Sequence, residues 1–352
     1  MRRTVLILPT LACNANCIYC YVDPTLKAQP QLIYQSFERV AQRLQEYLCN
    51  NPEDEINCLW HGGEPSLLPL AYWEDVETHL RKYEVSRISK SVQTNLITDE
   101  KEKYQWLLDH GYSISSSLDG SFEQHHNGRN ISPRQYKNLI DNISYIRERR
   151  EKMGVVCVVS RAQIYNPSSL LNFFEDLRIN VRFNRVVGEN WENHLTFREF
   201  YEFLEKIAAE WLNNPLSTIS VEPIESDAAS LLGDTSRSAC DRSKSCMNYF
   251  LAIDPEGNYY PCNHFVGDKQ WISGNIENQS FDWYWKFGTE SVNAAINAVI
   301  SNCSSCKWSL LCSGGCKNLA LSLSLEKQSE YCDAIDHYFQ TLTNILLQKQ
   351  HG

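Results

Sequence analysis

The chain has 352 residues, 43% of them hydrophobic, which is enough for a real core and excludes a disordered or collagen-like chain. Its 33 Lys and Arg stand against 43 Asp and Glu, a net charge of −10 with no basic block, which argues against bulk nucleic-acid binding. Residues 1–9 are too short an apolar run for a secretory signal, and no window approaches a membrane span of about 20 apolar residues. The expectation is a cytoplasmic protein with no membrane or nucleic-acid partner, whose thiols are reduced.

Residues 5–8 read as a first strand. A helix over 36–48 follows, with Phe37, Val40, Ala41, Leu44 and Leu48 at helical spacing. A strand over 56–60 ends in His61-Gly62-Gly63-Glu64-Pro65, and a helix over 72–83 comes next. Strand 88–93, helix 100–109 and strand 112–118 lead to Asp119-Gly120. Leu139, Ile140, Ile143 and Ile146 share one face of a helix over 136–149. The β-branched run 155–159, a helix over 168–177, a strand over 181–187 and a long helix over 197–212 complete the series. Six strand–helix repeats predict an α/β fold, a partial (β/α)6 TIM-like barrel over 1–213. An open doubly wound sheet competes, but no Gly-x-Gly-x-x-Gly follows the first strand. Beyond residue 213 regular alternation stops. Residues 251–253 and 259–261 flank Asp254-Pro255-Glu256-Gly257-Asn258, a hairpin signature, and a terminal helix is predicted over 329–348. Region 214–352 therefore reads as small, cysteine-rich and held by ligands.

The 14 cysteines carry the chemistry. Cys13, Cys17 and Cys20 form C-x3-C-x2-C in the loop after the first strand. Three thiolates can cap three irons of a 4Fe–4S cube and leave the fourth open. A structural zinc needs a nearby fourth ligand, and the next cysteine is the distant Cys49.

This loop, with Tyr19 before its last cysteine, resembles the signature of the radical S-adenosylmethionine (radical SAM) enzymes. His61-Gly62-Gly63-Glu64-Pro65 resembles the family's GGE motif, which implies that Gly62, Gly63 and Glu64 hold the methionyl amino group. Gln93-Thr94-Asn95 and Ser117-Leu118-Asp119-Gly120 are similar to its Q-T-N and S-x-D-G motifs, which makes Gln93, Asn95 and Ser117 cofactor contacts alongside Tyr19. His125-His126-Asn127-Gly128-Arg129 resembles H-D-x-x-R, with His126 departing from it. Arg129 or Arg134 is then the candidate for the cofactor carboxylate. The motifs end successive strands, where barrel active sites form.

Cys246, Gly257, Cys262, Cys303, Cys306, Cys312, Cys316 and Cys332 follow the seven-cysteine SPASM spacing, and Cys240 adds an eighth thiol. By resemblance to sulfatase-maturating enzymes, one auxiliary cluster takes Cys240, Cys246, Cys262 and Cys316. The other takes Cys303, Cys306, Cys312 and Cys332. Zinc is the competing ligand, since C-x2-C-x5-C is also finger-like.

The resemblance implies three 4Fe–4S clusters and S-adenosylmethionine, which is cleaved by one electron to a 5′-deoxyadenosyl radical that abstracts a substrate hydrogen. Fully ligated auxiliary clusters suit electron acceptance, hence a net oxidation. SPASM enzymes mostly modify peptides or proteins, so a ribosomally made precursor peptide is the expected substrate. An external one-electron donor of flavodoxin or ferredoxin type is the expected partner. Sulfatase maturases of this family place an Asp base after the equivalent of Cys262; here Asn263 stands there and cannot take a proton. The expected product is an oxidative cross-link, first a carbon–carbon cyclophane, second a thioether. A peptide epimerase using Cys58 or Cys157 as a lumenal hydrogen donor, a formylglycine maturase with another base, and a non-catalytic zinc-stapled binder are the alternatives. Asp119, Glu64, His61 and His125 are the candidate bases. Cys49, Cys58 and Cys157 are expected chiefly to pack. Because the sequence opens at the first barrel strand, either the barrel itself or a separate leader-binding protein is expected to grip the precursor.

Overall fold

Alternating and β-branched runs place successive side chains on opposite faces of a strand. In the computed structural model, which describes residues 1–27, 37–150, 152–186, 192–234, 236, 240–243, 246–299, 303 and 305–351, those runs form β1 (Arg2–Ile7), β2 (Glu55–Trp60), β3 (Ile88–Gln93), β4 (Tyr112–Ser117), β5 (Gly154–Val159) and β6 (Asn180–Arg185). The predicted helix start at residue 36 and strand end at residue 187 lie outside the described residues. Consecutive strands pair in parallel, and a short β7 (Val221–Glu222) continues the series beyond β6. The predicted TIM-like architecture is what forms. Its other edge differs from expectation: β8 (Phe250–Ile253) pairs in parallel with β1, and β9 (Tyr259–Tyr260) closes an antiparallel hairpin on β8. The sheet order is therefore β7-β6-β5-β4-β3-β2-β1-β8-β9.

Between the strands run helices Glu38–Asn50, Leu70–Lys82, Lys101–Asp109, Pro133–Arg147, Pro167–Leu177 and Phe197–Asn213. Their starts are written locally. Ser132 and Gln135 form a capping box with Pro133 at the first helical position, and Thr196 pairs likewise with Glu199.

One sheet face carries Val5, Ile7, Ile56, Trp60, Val92, Ile114, Val155, Val159, Val181 and Phe183 into a core shared with Val40, Leu44, Leu139, Leu170, Phe174 and Leu204 of the helices. Trp60, Trp73 and Tyr112 meet there at centroid separations of 5.4 to 5.6 Å. Each such pair adds about 0.5–1.5 kcal/mol beyond burial, so this triad pins the helix Leu70–Lys82 to β2 and β4.

The opposite face lines the lumen, and it is polar along β2 to β4. Ser89 and Ser91 hydroxyls donate to Asn57 Oδ1 at 3.1 and 3.0 Å. Ser115 donates to Gln93 Oε1 at 2.6 Å, and Gln93 Nε2 donates to Ser117 at 3.3 Å. Nearer β1, Leu6 and Leu8 pack on Ala252, Tyr260 and Phe265 from the hairpin region.

The terminal helix Leu325–His351 lies along Phe197–Asn213, with Tyr201 and Tyr338 rings 5.3 Å apart. Among the described residues no helix is long and apolar enough to cross a membrane.

Candidate functional site

The cysteine loop is held by its neighbours at the strand ends. Gly63 N–H donates to Thr10 O at 3.0 Å and Glu64 N–H to Ala12 O at 2.8 Å. A Cβ on Gly63 would lie 2.0 Å from the Ala12 carbonyl oxygen, so only glycine permits this approach. Glu64 is buried, and its carboxylate accepts from Ser66 N–H (2.8 Å), Asn95 N–H (2.8 Å) and the Thr94 hydroxyl. Asn95 Nδ2 in turn donates to Asn14 Oδ1 at 2.7 Å, inside the cysteine loop. The GGE-like and QTN-like segments thus form one polar unit with the C-x3-C-x2-C loop. Thr94 and Asn14 were inside quoted motifs, yet their bonding needed the fold to be seen.

A second anchor lies across the loop. Asp119, 1% exposed, accepts from Arg129 Nε (2.8 Å) and Nη2 (3.2 Å), from Val158 N–H (2.9 Å) and from the Tyr19 hydroxyl. Arg129 sits 5.4 Å from the Tyr19 ring centroid; burial raises the Cys17 thiol, and the charge of Arg129 opposes that rise. The short helix Phe122–Arg129 supplies Arg129 and also Gly128, whose carbonyl accepts Ile18 N–H at 2.9 Å. A Cβ on Gly128 would meet Tyr19 at 2.4 Å, so this glycine makes room for the aromatic ring. Of the two arginines considered, Arg129 belongs to this pocket, while Arg134 is exposed in the first turn of the helix Pro133–Arg147.

The four candidate bases are all engaged. Asp119 accepts from four donors and Glu64 from three. His125 Nδ1 accepts Asp119 N–H at 3.0 Å, and burial pushes its pKa down to about 3. His61 Nδ1 accepts Gly62 N–H at 2.7 Å; burial, then the neighbouring His264, push its pKa down to about 4. Both imidazoles are neutral, with the accepting nitrogen already used. These groups shape the site and hold its loops.

The hairpin region reaches the same mouth. Asn263 Nδ2 donates to the Tyr21 hydroxyl at 2.9 Å, and the Tyr21 ring meets that of His264 at a tilt of 40°, centroids 4.8 Å apart. Tyr21 and His264 were not singled out from sequence; their adjacency to Cys20 and to Asn263 was the available signal.

The remaining thiols fall into two groups. Burial raises Cys246, Cys262 and Cys240, and among the further causes are the charges of other thiols of the set Cys240, Cys246, Cys262, Cys316. Burial likewise raises Cys303 and Cys332, with opposing charges from within Cys303, Cys306, Cys312 and Cys332. Thiols that oppose each other's ionisation lie near one another, and a bound metal centre would relieve that opposition. A cavity of about 540 Å³ is lined by Cys303, Cys306, Cys312, Cys316 and Cys332, room enough for an inorganic cluster. The buried Lys317 ammonium donates to Gly315 O at 3.0 Å and to Ser313 O, and it faces thiols of both groups.

Cys58 and Cys157 pack, as expected, and the alternative of a lumenal hydrogen donor is corrected. Both are fully buried in the core between sheet and helices, on the face opposite the lumen. Alternation along β2 and β5 points them away from any substrate, so neither can return a hydrogen there. Cys49 is exposed at the end of its helix, where Gln45 Nε2 reaches its sulfur at 3.4 Å.

Comparison with known proteins agrees with this arrangement. Residues 7–160 match the Radical SAM superfamily, and residues 240–307 match SPASM, an iron–sulfur cluster-binding domain. A cysteine-type anaerobic sulfatase-maturating enzyme of Clostridium novyi is 23% identical over 89% of this chain and 87% of its own. A serine-type counterpart from Bacteroides thetaiotaomicron is 23% identical over 96% and 88%. The solved structure of anSMEcpe with bound AdoMet superposes with a TM-score of 0.84 at 20% identity, covering 99% of this chain and 98% of that one. Streptococcus suis SuiB bound to S-adenosylmethionine gives 0.65 at 16% identity, over 90% and 73%. Three thiols in a loop locked to two strand-end motifs, followed by a cluster-binding module, make this chain a radical SAM enzyme with a SPASM domain.

Proposed function

We propose that this enzyme installs an oxidative cross-link in a ribosomally made precursor peptide, a carbon–carbon cyclophane first and a thioether second. What supports the reading is the set of eight cysteines, Cys240 to Cys332, in the C-terminal region beyond the three-thiol loop. Eleven ligands suit three 4Fe–4S clusters, two of them with no open iron. When bound, these clusters and S-adenosylmethionine supply a 5′-deoxyadenosyl radical and two electron-accepting centres.

In this reading the chain's own residues bind and orient. Cys13, Cys17 and Cys20 hold the first cluster. Gly62 and Gly63 present backbone groups to the methionyl amino group, with Glu64 fixing their loop. Gln93, Asn95 and Ser117 line the cofactor's path from the polar lumen wall, and Arg129, held by Asp119 over Tyr19, faces the carboxylate. The small lumen side chains leave space for a peptide segment.

The relatives' names suggest sulfatase maturation as a second reading. Asn263 opposes it, because an amide bonded to Tyr21 cannot serve as the carboxylate base. Anaerobic co-expression with short peptides encoded beside the gene, followed by mass analysis, separates the readings. Loss of two hydrogens with two side chains joined is the expected result. An aldehyde at Ser or Cys, or unchanged mass with deuterium taken up at one Cα, would overturn it.

A further inference from the structure

Tyr331 lies one residue before Cys332 on the terminal helix, and its hydroxyl is 3.5 Å from Cys312 Sγ. The ring is buried, packed edge-on against Phe197 at 5.3 Å. Arg242 Nη1 donates to the same hydroxyl oxygen at 3.3 Å. Arg242 is itself buried and held by Asp227, with Nε to Oδ1 at 3.2 Å and Nη2 to Oδ2 at 3.4 Å. Gly315 leaves the space, since a Cβ there would stand 2.5 Å from the Tyr331 hydroxyl oxygen.

A ligated Cys312 thiolate allows the Tyr331–Cys312 bond only one direction, with the Tyr201 hydroxyl, which also accepts from Arg242 Nη1 at 3.4 Å, as the competing acceptor for the phenol proton. A guanidinium only donates, so Arg242 uses a lone pair of the phenol oxygen and leaves the phenol proton for another partner. A thiolate ligated to iron has no proton and only accepts. The other group offers a contrast. Tyr284 lies near Cys246 and Cys262, but its hydroxyl meets the carbonyls of Phe250 (3.2 Å) and Tyr260 (3.3 Å). Asp241 there adds a negative charge beside Cys240.

We infer that Tyr331, aligned by Arg242, donates a hydrogen bond to the Cys312 sulfur and raises the reduction potential of the cluster held by Cys303, Cys306, Cys312 and Cys332. A hydrogen bond to a ligating sulfur stabilises the reduced, more electron-rich cluster most, so it favours electron acceptance. The inference deepens the proposed function, because it depends on those thiols holding a cluster. Tyr331 acts through the Cys312 sulfur and is a positioning residue.

The test is redox titration followed by EPR, in full-length protein carrying Cys13→Ala, Cys17→Ala and Cys20→Ala so that only auxiliary signals remain. Tyr331→Phe keeps the ring and removes the proton. One midpoint should move to lower potential while the other stays. Unchanged midpoints at full iron and sulfide content, or an equal shift of both, would overturn the inference. Iron for fewer than two clusters in the parent protein would instead sink the assignment of the eight thiols. A second measurement is pulsed EPR after exchange into D2O: one exchangeable proton coupling should be present with Tyr331 and missing from Tyr331→Phe, whereas that of the Trp308 N–H, which donates to Cys306 Sγ at 3.4 Å, should be common to both, and identical spectra would also refute the bond.

Discussion

Asp119→Ala should destabilise the enzyme by about 3–5 kcal/mol, because it leaves Arg129 as a buried charge without its counter-ion. The carboxylate is 1% exposed and the Arg129 side chain 11% exposed, so little water is present to replace the lost partner. Two of the four donors to Asp119 come from that guanidinium, at 2.8 and 3.2 Å. The Val158 N–H, 2.9 Å away, loses its acceptor as well. An orphaned buried donor costs about 1–3 kcal/mol alone. The two losses share one relaxing pocket, so they do not add in full. Asp119→Asn keeps the shape but turns one oxygen into a donor. Each Asp119 oxygen faces Arg129, so neither orientation of the amide satisfies the site. Arg39→Ala serves as the control, since its 3.1 Å pair with Glu277 is 41% and 59% exposed and should contribute less than about 1 kcal/mol. The assay is anaerobic urea unfolding, comparing midpoints at constant slope. If Asp119→Ala unfolds at the same urea concentration as Arg39→Ala, Asp119 is not the anchor of this pocket.

Gly63→Ala should empty the first cluster site and spare the others, because its methyl would strike a backbone oxygen that cannot swing aside. Iron and sulfide analysis reads this directly, and a full complement would contradict it. Cys58→Ala and Cys157→Ala should leave product formation unchanged while lowering stability, as expected of buried thiols facing helices. Loss of turnover at unchanged cluster content would contradict that placement. His125, whose pKa burial lowers from 6.5 to about 3, is neutral when folded. Its unfolded form takes up a proton first, so its contribution is fully present above pH 6.5 and is lost as pH falls toward 3. His125→Asn, which keeps an acceptor and cannot protonate, should flatten the acid limb of stability against pH, and an unaltered slope would count against the reading.

The strands were legible because their residues satisfy packing locally. β3 runs over the residues expected, 88–93, and β5 carries the β-branched run that the sequence marks. The face of Cys58 was also within reach: Asn57 and Leu59 flank it, so Cys58 must point the other way from a polar lumen. Cys157 offered no such cue, since its neighbours Val156 and Val158 are apolar too. The helix Phe122–Arg129 went unread because it has no amphipathic stripe. Its residues are chosen for contacts with Tyr19, Asp119 and Ile18 rather than for a core. The β1–β8 pairing is a long-range match between strands some 250 residues apart, which local periodicity cannot express.

That unread pairing changes what the C-terminal region does. With β8 continuing the sheet from β1, the hairpin brings Cys262-Asn263-His264 over the Cys20-Tyr21 end of the first loop. Tyr21 follows one candidate ligand of the first cluster and Asn263 follows one of the next group. Their 2.9 Å hydrogen bond therefore joins the neighbours of two ligands directly. Cys20 and Cys262 are both near enough to act on the Tyr21 hydroxyl. A region built only to store iron and sulfur would need no such contact. The contact makes Asn263 a structural bridge between the hairpin and the first loop, its amide donating to the Tyr21 hydroxyl oxygen.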